Sequence, residues 1–287
     1  MKRIIQWSTF IIIIFCLLSP AFAESNQFEQ VIFEKEENHI KAWNQAHQIA
    51  KEIEDEYGII ILIQEECDEV GIDSPFSFAH DIDLNSSTLD KAMGYDHLPD
   101  YLSYLQQTLS IYPKDMFEPF RKYGGNLRIL LVNAIREDGI QYYPSGVTLS
   151  GDGWYNIYIG LVRFDVTTFQ HELWHAFEHR IKDEFPDAFN NWSIFNPEGF
   201  QYLNEDYDND NKPEVDSSLL LPSESAWFAR NYSVTNEQED RATLYETLFY
   251  EGNDRMALWI HYPHILSKIM EMTWQMDRVF PAYEMIH

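Results

Sequence analysis

The sequence predicts an α+β fold with a small mixed sheet, one helix that carries a histidine motif, and a helical C-terminal part. Three observations predict it. The N-terminal half alternates segments in which apolar residues recur at helical spacing with short continuous apolar runs. A turn at Gly151-Asp152-Gly153 separates two strand-like segments. In the C-terminal segments apolar residues again recur at helical spacing.

The first 23 residues predict a secretory signal peptide. Lys2 and Arg3 precede an apolar run over Phe10–Leu18, and Ala21-Phe22-Ala23 forms a small-residue cleavage site. The apolar run is too short to span a membrane. We therefore expect cleavage near Ala23 and a secreted or extracytoplasmic protein, either released or held in a periplasm or cell wall.

The chain after residue 23, about 264 of the 287 residues, is long and acidic. Asp and Glu outnumber Lys and Arg by 47 to 20, which gives a net charge of -27, and removing Lys2 and Arg3 makes it -29. This charge argues against binding nucleic acid or an anionic membrane surface. The length predicts one domain over 24–287, with an α/β lobe at about 24–180 and a helical lobe at about 181–287.

The first segments of this domain predict a helix and a strand. Apolar residues recur at helical spacing over Glu36–Tyr57, and Gly58 supplies the stop. The continuous run Ile59–Ile63 predicts a buried strand. Cys67 is the only cysteine after the predicted signal peptide, so no internal disulfide is expected. Its thiol is expected to be buried and inert. The mixed segment Glu65–Asp96 is expected to be mostly loop, with at most one short strand.

The middle of the chain predicts two helices and three strands. Leu98–Ile111 has helical periodicity, and a shorter helix is expected at Met116–Tyr123. Leu127–Val132 predicts a strand, and Gly146–Leu149 and Trp154–Ile159 predict a hairpin around the glycine-rich turn. We expect Trp154–Ile159 to be the edge strand of the sheet.

Two helices are expected near the C-terminus. One starts near Asn236 and runs to about Glu251, with Thr235 as its N-cap and Gln238 completing a capping box. The other spans Pro263–Arg278.

An acidic loop, Glu205–Pro213, precedes these helices. The alternating aspartates of Asp206–Asp210 resemble the start of a calcium-binding EF-hand loop. Asn211 stands where that loop has glycine, and Ser217 where it has a bidentate glutamate. A solvated surface insertion is therefore the favoured interpretation, with Ca²⁺ at Asp206–Asp210 as the alternative.

The strongest chemical signal in the chain is His171-Glu172-Leu173-Trp174-His175. Residues four apart lie on one face of a helix, so His171 and His175 can direct their imidazoles at one metal ion, and Glu172 can reach a water on it. A chain of this composition contains the pattern by chance roughly 0.03 times. Thr167 or Thr168 is the expected N-cap of the helix.

A catalytic zinc ion needs a third protein ligand. His179 lies about 12 Å along the helix from His171, too far for both to bind one ion. A third histidine at the metzincin spacing would fall at position 181, which is Ile181. The remaining option is a carboxylate on a downstream helix, where Glu239 and Asp240 stand side by side.

The segment Tyr232–Ala242 resembles the anthrax lethal-factor-like group of zinc peptidases, which are of the gluzincin type. In that group a tyrosine stands seven residues before the ligand glutamate in a Y-x-x-T-N-E-x-E context, and Tyr232 and Glu239 have this spacing. The resemblance implies Glu239 as the third zinc ligand and Tyr232 as the hydroxyl that stabilises an oxyanion. The order of elements before the motif is similar to that of zincin N-terminal lobes, which implies a zincin-like fold.

The chain also departs from this family. Thr243 stands where the family has an acidic residue, four positions after the ligand, and the adjacent carboxylate keeps Asp240 as an alternative ligand. Glu246, two turns after Glu239, is expected either to hydrogen-bond a ligand histidine or to face solvent. Tyr202 is the reserve oxyanion donor.

Together these residues predict a secreted zinc-dependent peptidase with one catalytic Zn²⁺ and a peptide or protein substrate. Glu172 is the expected general base and Tyr232 the oxyanion donor. Two alternatives are a catalytically silent zincin-fold protein for binding or adhesion, which the intact Glu172 disfavours, and a non-enzymatic acidic surface protein that depends on calcium. No stable membrane insertion is expected, and cleavage specificity and oligomeric state leave no signal in the sequence.

Overall fold

A computed structural model describes residues 38–70, 76–79, 97–137, 144–161, 165–203, 216–249 and 255–280. The predicted signal peptide and the acidic loop Glu205–Pro213, with its alternative calcium site, lie outside these residues. Within them the protein combines helices with a small mixed sheet, so the predicted α+β class is confirmed.

Six helices occur in the described part of the chain. They are α1 over 38–57, α2 over Leu98–Leu109, α3 over Val166–Glu184, α4 over Glu237–Phe249, α5 over Arg255–His261 and α6 over Pro263–Asp277. The sequence predicts all of them except α5, and the helix expected at Met116–Tyr123 is only a 3-10 turn at Glu118–Arg121. None of the helices described is both long and apolar enough to cross a membrane.

The strands form a four-stranded sheet and a separate pair. In chain order they are β1 over Ile60–Ile63, β2 over Phe76–Ala79, β3 over Leu127–Val132, β4 over Ala134–Glu137, β5 over Gly146–Gly151 and β6 over Trp154–Gly160. The larger sheet has the order β1-β3-β6-β5, in which β3 is parallel to both β1 and β6 and β5 is antiparallel to β6. The strands β2 and β4 pair antiparallel with each other.

The predicted edge strand is wrong. Trp154–Ile159 falls in β6, which lies between β3 and β5, and the edge strands of this sheet are β1 and β5. The side chains of β6 from Tyr155 onward are buried on both faces of the sheet, whereas those of β5 are half-buried or exposed. A strand buried on both faces is typical of the interior of a sheet, because neighbouring elements must cover it.

The predicted hairpin between β5 and β6 is confirmed, and its turn is tight. Gly151 pairs with Trp154, so Asp152 and Gly153 alone form the loop, with φ of 52° and 80°. Positive φ at both central residues is the requirement of a type I′ turn, which Asp-Gly satisfies.

Helix α3 lies against the sheet at β5 and β6 and packs against α4 on its other side. Its apolar side chains are fully buried in the main core: Phe169, Leu173, Trp174, Ala176 and Phe177. A smaller core on the opposite face of the sheet contains Cys67, and burial raises the pKa of its thiol to about 12. The predicted buried thiol is thereby confirmed.

Candidate metal centre

Helix α3 begins one turn before the histidine motif. Its N-cap is Asp165, which has extended backbone and accepts a hydrogen bond from the backbone N–H of Thr167 at 2.9 Å, so neither Thr167 nor Thr168 is the cap. An aspartate caps a helix at least as well as threonine and places a negative charge at the positive end of the helix dipole.

The structure brings His171 and His175 together with Glu239. The Nε2 atoms of the two histidines are 3.2 Å apart, and Oε2 of Glu239 lies 2.9 Å from Nε2 of His171 and 3.6 Å from Nε2 of His175. Ligand atoms in a tetrahedral zinc site with bonds near 2 Å are separated by about 3.3 Å. The three observed separations lie on either side of this value, so these residues fit a tetrahedral metal ion.

The polarity of the cluster also fits a cation. Nδ1 of His171 lies 2.9 Å from Oε2 of Glu246, and a carboxylate only accepts, so Nδ1 carries the hydrogen in the neutral imidazole. Nε2 of His171 then presents a lone pair to the carboxylate of Glu239. Both groups are acceptors, so they repel each other unless a proton or a metal ion lies between them. Burial lowers the pKa of His171, but the hydrogen bonds with Glu239 and Glu246 outweigh it and raise the pKa to about 10.

Glu239 is held ionised at the start of α4. Burial raises the pKa of its carboxyl, but the hydrogen bonds with His171 and His175 outweigh that and hold the pKa far below its usual range. The helix is capped by Asn236, whose Oδ1 accepts from the backbone N–H of Glu239 at 2.9 Å, rather than by the predicted Thr235. The capping residue Asn236 thus binds the backbone of Glu239, the residue that lies beside the two histidines.

Asp240, the alternative ligand, points into a different network. Its Oδ2 lies 2.7 Å from Nζ of Lys268 on α6, and both side chains are 0% exposed. The same oxygen accepts from the indole of Trp192 at 2.9 Å and from the hydroxyl of Tyr202 at 2.7 Å. Of the two adjacent carboxylates, the structure therefore brings only Glu239 to the histidines, and the hydroxyl of the reserve donor Tyr202 is engaged by Asp240.

Replacing Lys268 with methionine is expected to destabilise the fold by about 3–5 kcal/mol, because the carboxylate of Asp240 then stays buried without its counter-charge. Urea unfolding of the purified variant beside wild type measures the loss. The double variant Asp240→Asn/Lys268→Met removes both charges and is expected to recover most of it. A loss below about 1 kcal/mol in the single variant contradicts a fully buried ion pair.

A second buried ion pair joins α3 to α4 beside the cluster. The guanidinium of Arg241 donates to both carboxylate oxygens of Glu178, from Nη2 at 2.6 Å and from Nε at 2.8 Å. Burial raises the pKa of Glu178, but Arg241 and Lys182 outweigh it and lower the pKa to about 2. Glu178 lies one turn after His175 and Arg241 two residues after Glu239, so this pair fixes the two helices at the level of the cluster.

Glu172 is buried next to the cluster and contacts β5. Burial raises the pKa of its carboxyl, and the nearby imidazoles and the hydroxyl of Thr148 oppose part of this rise. Oε2 of Glu172 accepts from Oγ1 of Thr148 at 2.8 Å. A raised pKa makes a carboxylate a stronger base, which favours its taking a proton from water.

Tyr232 lies at the edge of the cluster. Its ring centroid is 5.8 Å from that of His171, and the guanidinium of Arg230 lies 5.9 Å from the Tyr232 ring. Arg230 also pairs with Oε1 of Glu246 at 2.7 Å, so both oxygens of that carboxylate are engaged. Thr243, in the position where the resemblance expects an acidic residue, donates its hydroxyl to the carbonyl of Glu239 instead.

Glu246→Gln is expected to weaken the affinity of the cluster for added Zn²⁺ by about 10–100-fold, because the carboxylate orients His171 and increases the electron density at its Nε2. Competition with a chromogenic chelator measures the affinity. Glu237→Gln is the matched control: it lies on the first turn of the same helix, its side chain is 41% exposed, and it is outside the cluster. Equal affinities for both variants contradict the proposed support of His171 by Glu246.

Sequence reasoning missed the residues that support this site from other elements. Thr148 and Gly146 on β5 contact Glu172. The only signal of this contact in the sequence of β5 is a glycine inside a strand, which often marks the close approach of another group. Lys268 offered a clearer signal, because it stands on the apolar face of α6 beside Ile265 and Ile269. His179, which was not expected to join the metal, lies outside the cluster.

Fold and site together describe a mixed α+β protein in which two histidines of one helix and a glutamate of another converge in a way that can hold a metal ion. Comparison with protein-family models, curated proteins and solved structures finds no match for this chain.

Proposed function

We propose that the protein is a secreted zinc-dependent peptidase of zincin-like fold, with one Zn²⁺ held by His171, His175 and Glu239. The observation that carries the proposal is the triangle of three ligand atoms, separated by 2.9, 3.2 and 3.6 Å, with the carboxylate of Glu172 one residue from His171. Three protein ligands leave a fourth position open, which is the arrangement of catalytic rather than structural zinc.

The zinc ion, when bound, supplies a Lewis acid to this site. Glu172 takes a proton from the attacking water and delivers it to the leaving amine, and burial favours the first step because it raises the pKa of the carboxyl and makes the carboxylate a stronger base. Tyr232 donates its hydroxyl to the oxyanion that develops on the scissile carbonyl. Its ring next to His171 is the contact that supports this role.

The substrate in this proposal is an extended peptide at the edge of the sheet. The terminal strand β5 runs beside α3, and Thr148 on β5 contacts Glu172. A peptide that pairs with β5 as an additional strand therefore passes the general base.

The experiment that tests the proposal is a zinc measurement combined with hydrolysis of a peptide library by the purified mature protein. We expect about one zinc per chain, since one cluster of three ligands supplies one site. We also expect cleavage that a strong chelator abolishes and added zinc restores. A protein without zinc after dialysis against zinc-containing buffer contradicts the proposal, and a zinc-loaded protein that cleaves no peptide in the library favours the silent binding fold instead.

A further inference from the structure

The edge strand β5 presents part of its backbone away from the sheet. The backbone N–H of Gly160 donates to the carbonyl of Ser145 at 2.8 Å, which makes 145 and 160 a hydrogen-bonded pair in the ladder with β6. In an antiparallel ladder such pairs alternate with pairs that exchange no hydrogen bond. Gly146, Thr148 and Ser150 therefore direct their N–H and C=O groups to the side of β5 on which none of the described strands pairs with it.

Thr148 also contacts the general base through its side chain. Its Oγ1 lies 2.8 Å from Oε2 of Glu172 and 2.9 Å from the backbone carbonyl of Glu172. The hydroxyl has one hydrogen to donate, and the carboxylate is the stronger acceptor. One oxygen of Glu172 is thereby held towards β5, which restricts rotation of the carboxylate.

Gly146 confines the same side chain from a second position on β5. A Cβ at this position would lie 2.6 Å from Cγ and 2.9 Å from Oε1 of Glu172, and 2.8 Å from Cγ2 of Thr168. The side chain of Glu172 therefore rests directly on the backbone of β5 and has no room to rotate towards it. Two positions of one strand, two residues apart, confine the orientation of the general base.

We propose that Thr148 is a positioning residue for Glu172 and that it couples this orientation to the substrate-binding edge. The inference rests on the proposed function, and it assigns two tasks to one residue. The backbone of Thr148 pairs with an extended peptide, and its hydroxyl holds the carboxylate that takes the proton from water. Binding of the peptide and the orientation of the Glu172 carboxylate thus both depend on position 148 of β5.

Thr148→Val separates the two tasks, because it removes the hydroxyl and keeps the shape of the side chain and the backbone. We expect kcat to fall about 10–100-fold, less than the full contribution of a general base. KM is expected to stay within about twofold, since the backbone hydrogen bonds remain. Zinc content should equal that of wild type, and Thr148→Ser, which restores a hydroxyl, should regain most of kcat.

Thr273→Val is the matched control. Thr273 on α6 donates its hydroxyl to the backbone carbonyl of Ile269 at 2.8 Å, so the substitution removes a threonine hydrogen bond outside β5. It should leave kcat and KM unchanged. An equal loss of kcat in both valine variants overturns the positioning role.

Crystal structures of zinc-loaded wild type and Thr148→Val give a readout that needs no activity. We expect the carboxylate of Glu172 to rotate away from its wild-type orientation in the variant. An unchanged carboxylate overturns the inference, whatever the kinetics. If wild type binds zinc but cleaves no peptide, the peptidase proposal fails while the rotation still decides the role of Thr148. If wild type is active and Thr148→Val raises only KM, the positioning role fails and the peptidase stands.

Discussion

Glu172→Gln is expected to lower kcat/KM for peptide hydrolysis by about 100–10,000-fold and to leave the zinc content unchanged. The amide has nearly the shape of the carboxylate and can still accept a hydrogen bond from Thr148, but it cannot take a proton from water. Glu172 is buried, at 6% exposure, so water from bulk solvent cannot readily replace it as the base. Initial rates with the best library peptide, measured beside metal analysis, test this expectation.

Glu237→Gln serves as the control for Glu172→Gln, because it removes a carboxylate from the first turn of α4 without touching the cluster. It should keep the wild-type rate. A zinc-loaded Glu172→Gln protein that hydrolyses peptides as fast as wild type shows that another group accepts the proton, and the proposed mechanism is then wrong.

Glu239→Gln is expected to reduce zinc affinity by more than about 100-fold, because loss of a residue that only orients a ligand already costs 10–100-fold. The amide oxygen is a neutral and weaker donor, and the cluster loses the negative charge that faces both histidines. Chelator competition measures the affinity, and circular dichroism checks that the fold survives.

The same control, Glu237→Gln, distinguishes this loss from a general effect of charge near the site. It lies two residues before Glu239 and outside the ligand cluster. Wild-type affinity in the Glu239→Gln protein excludes Glu239 as the third ligand. Since Asp240 forms a buried ion pair with Lys268, such a result leaves neither of the two adjacent carboxylates as a ligand.

Local patterns in the sequence predict much of this architecture. Leu127–Val132 matches β3, and the Asp-Gly turn matches the hairpin, because apolar runs and turn residues act within a few positions of the chain. The spacing of His171 and His175 places both on one face of α3 for the same reason.

The features that the sequence did not predict depend on contacts between residues distant in the sequence. The wrong edge strand arose because the apolar pattern of Trp154–Ile159 encodes burial but not the order of strands. The mistaken N-caps lie one to three positions from the observed caps, Asp165 and Asn236, because helix boundaries are the least precise feature that a sequence predicts. The contact of Glu172 with Gly146 has no local signature, since it depends on how α3 docks on β5.

The approach of Glu239 to His171 joins positions 68 residues apart in a chain whose only cysteine after residue 23 is Cys67. A metal ion at this point is a cross-link, and it can form only after α4 has docked on α3. Because such an ion binds the folded state alone, it adds about 2.7 kcal/mol to folding at a concentration 100-fold above its dissociation constant. The availability of zinc would then set the thermal stability and protease resistance of the protein as well as the proposed peptidase activity.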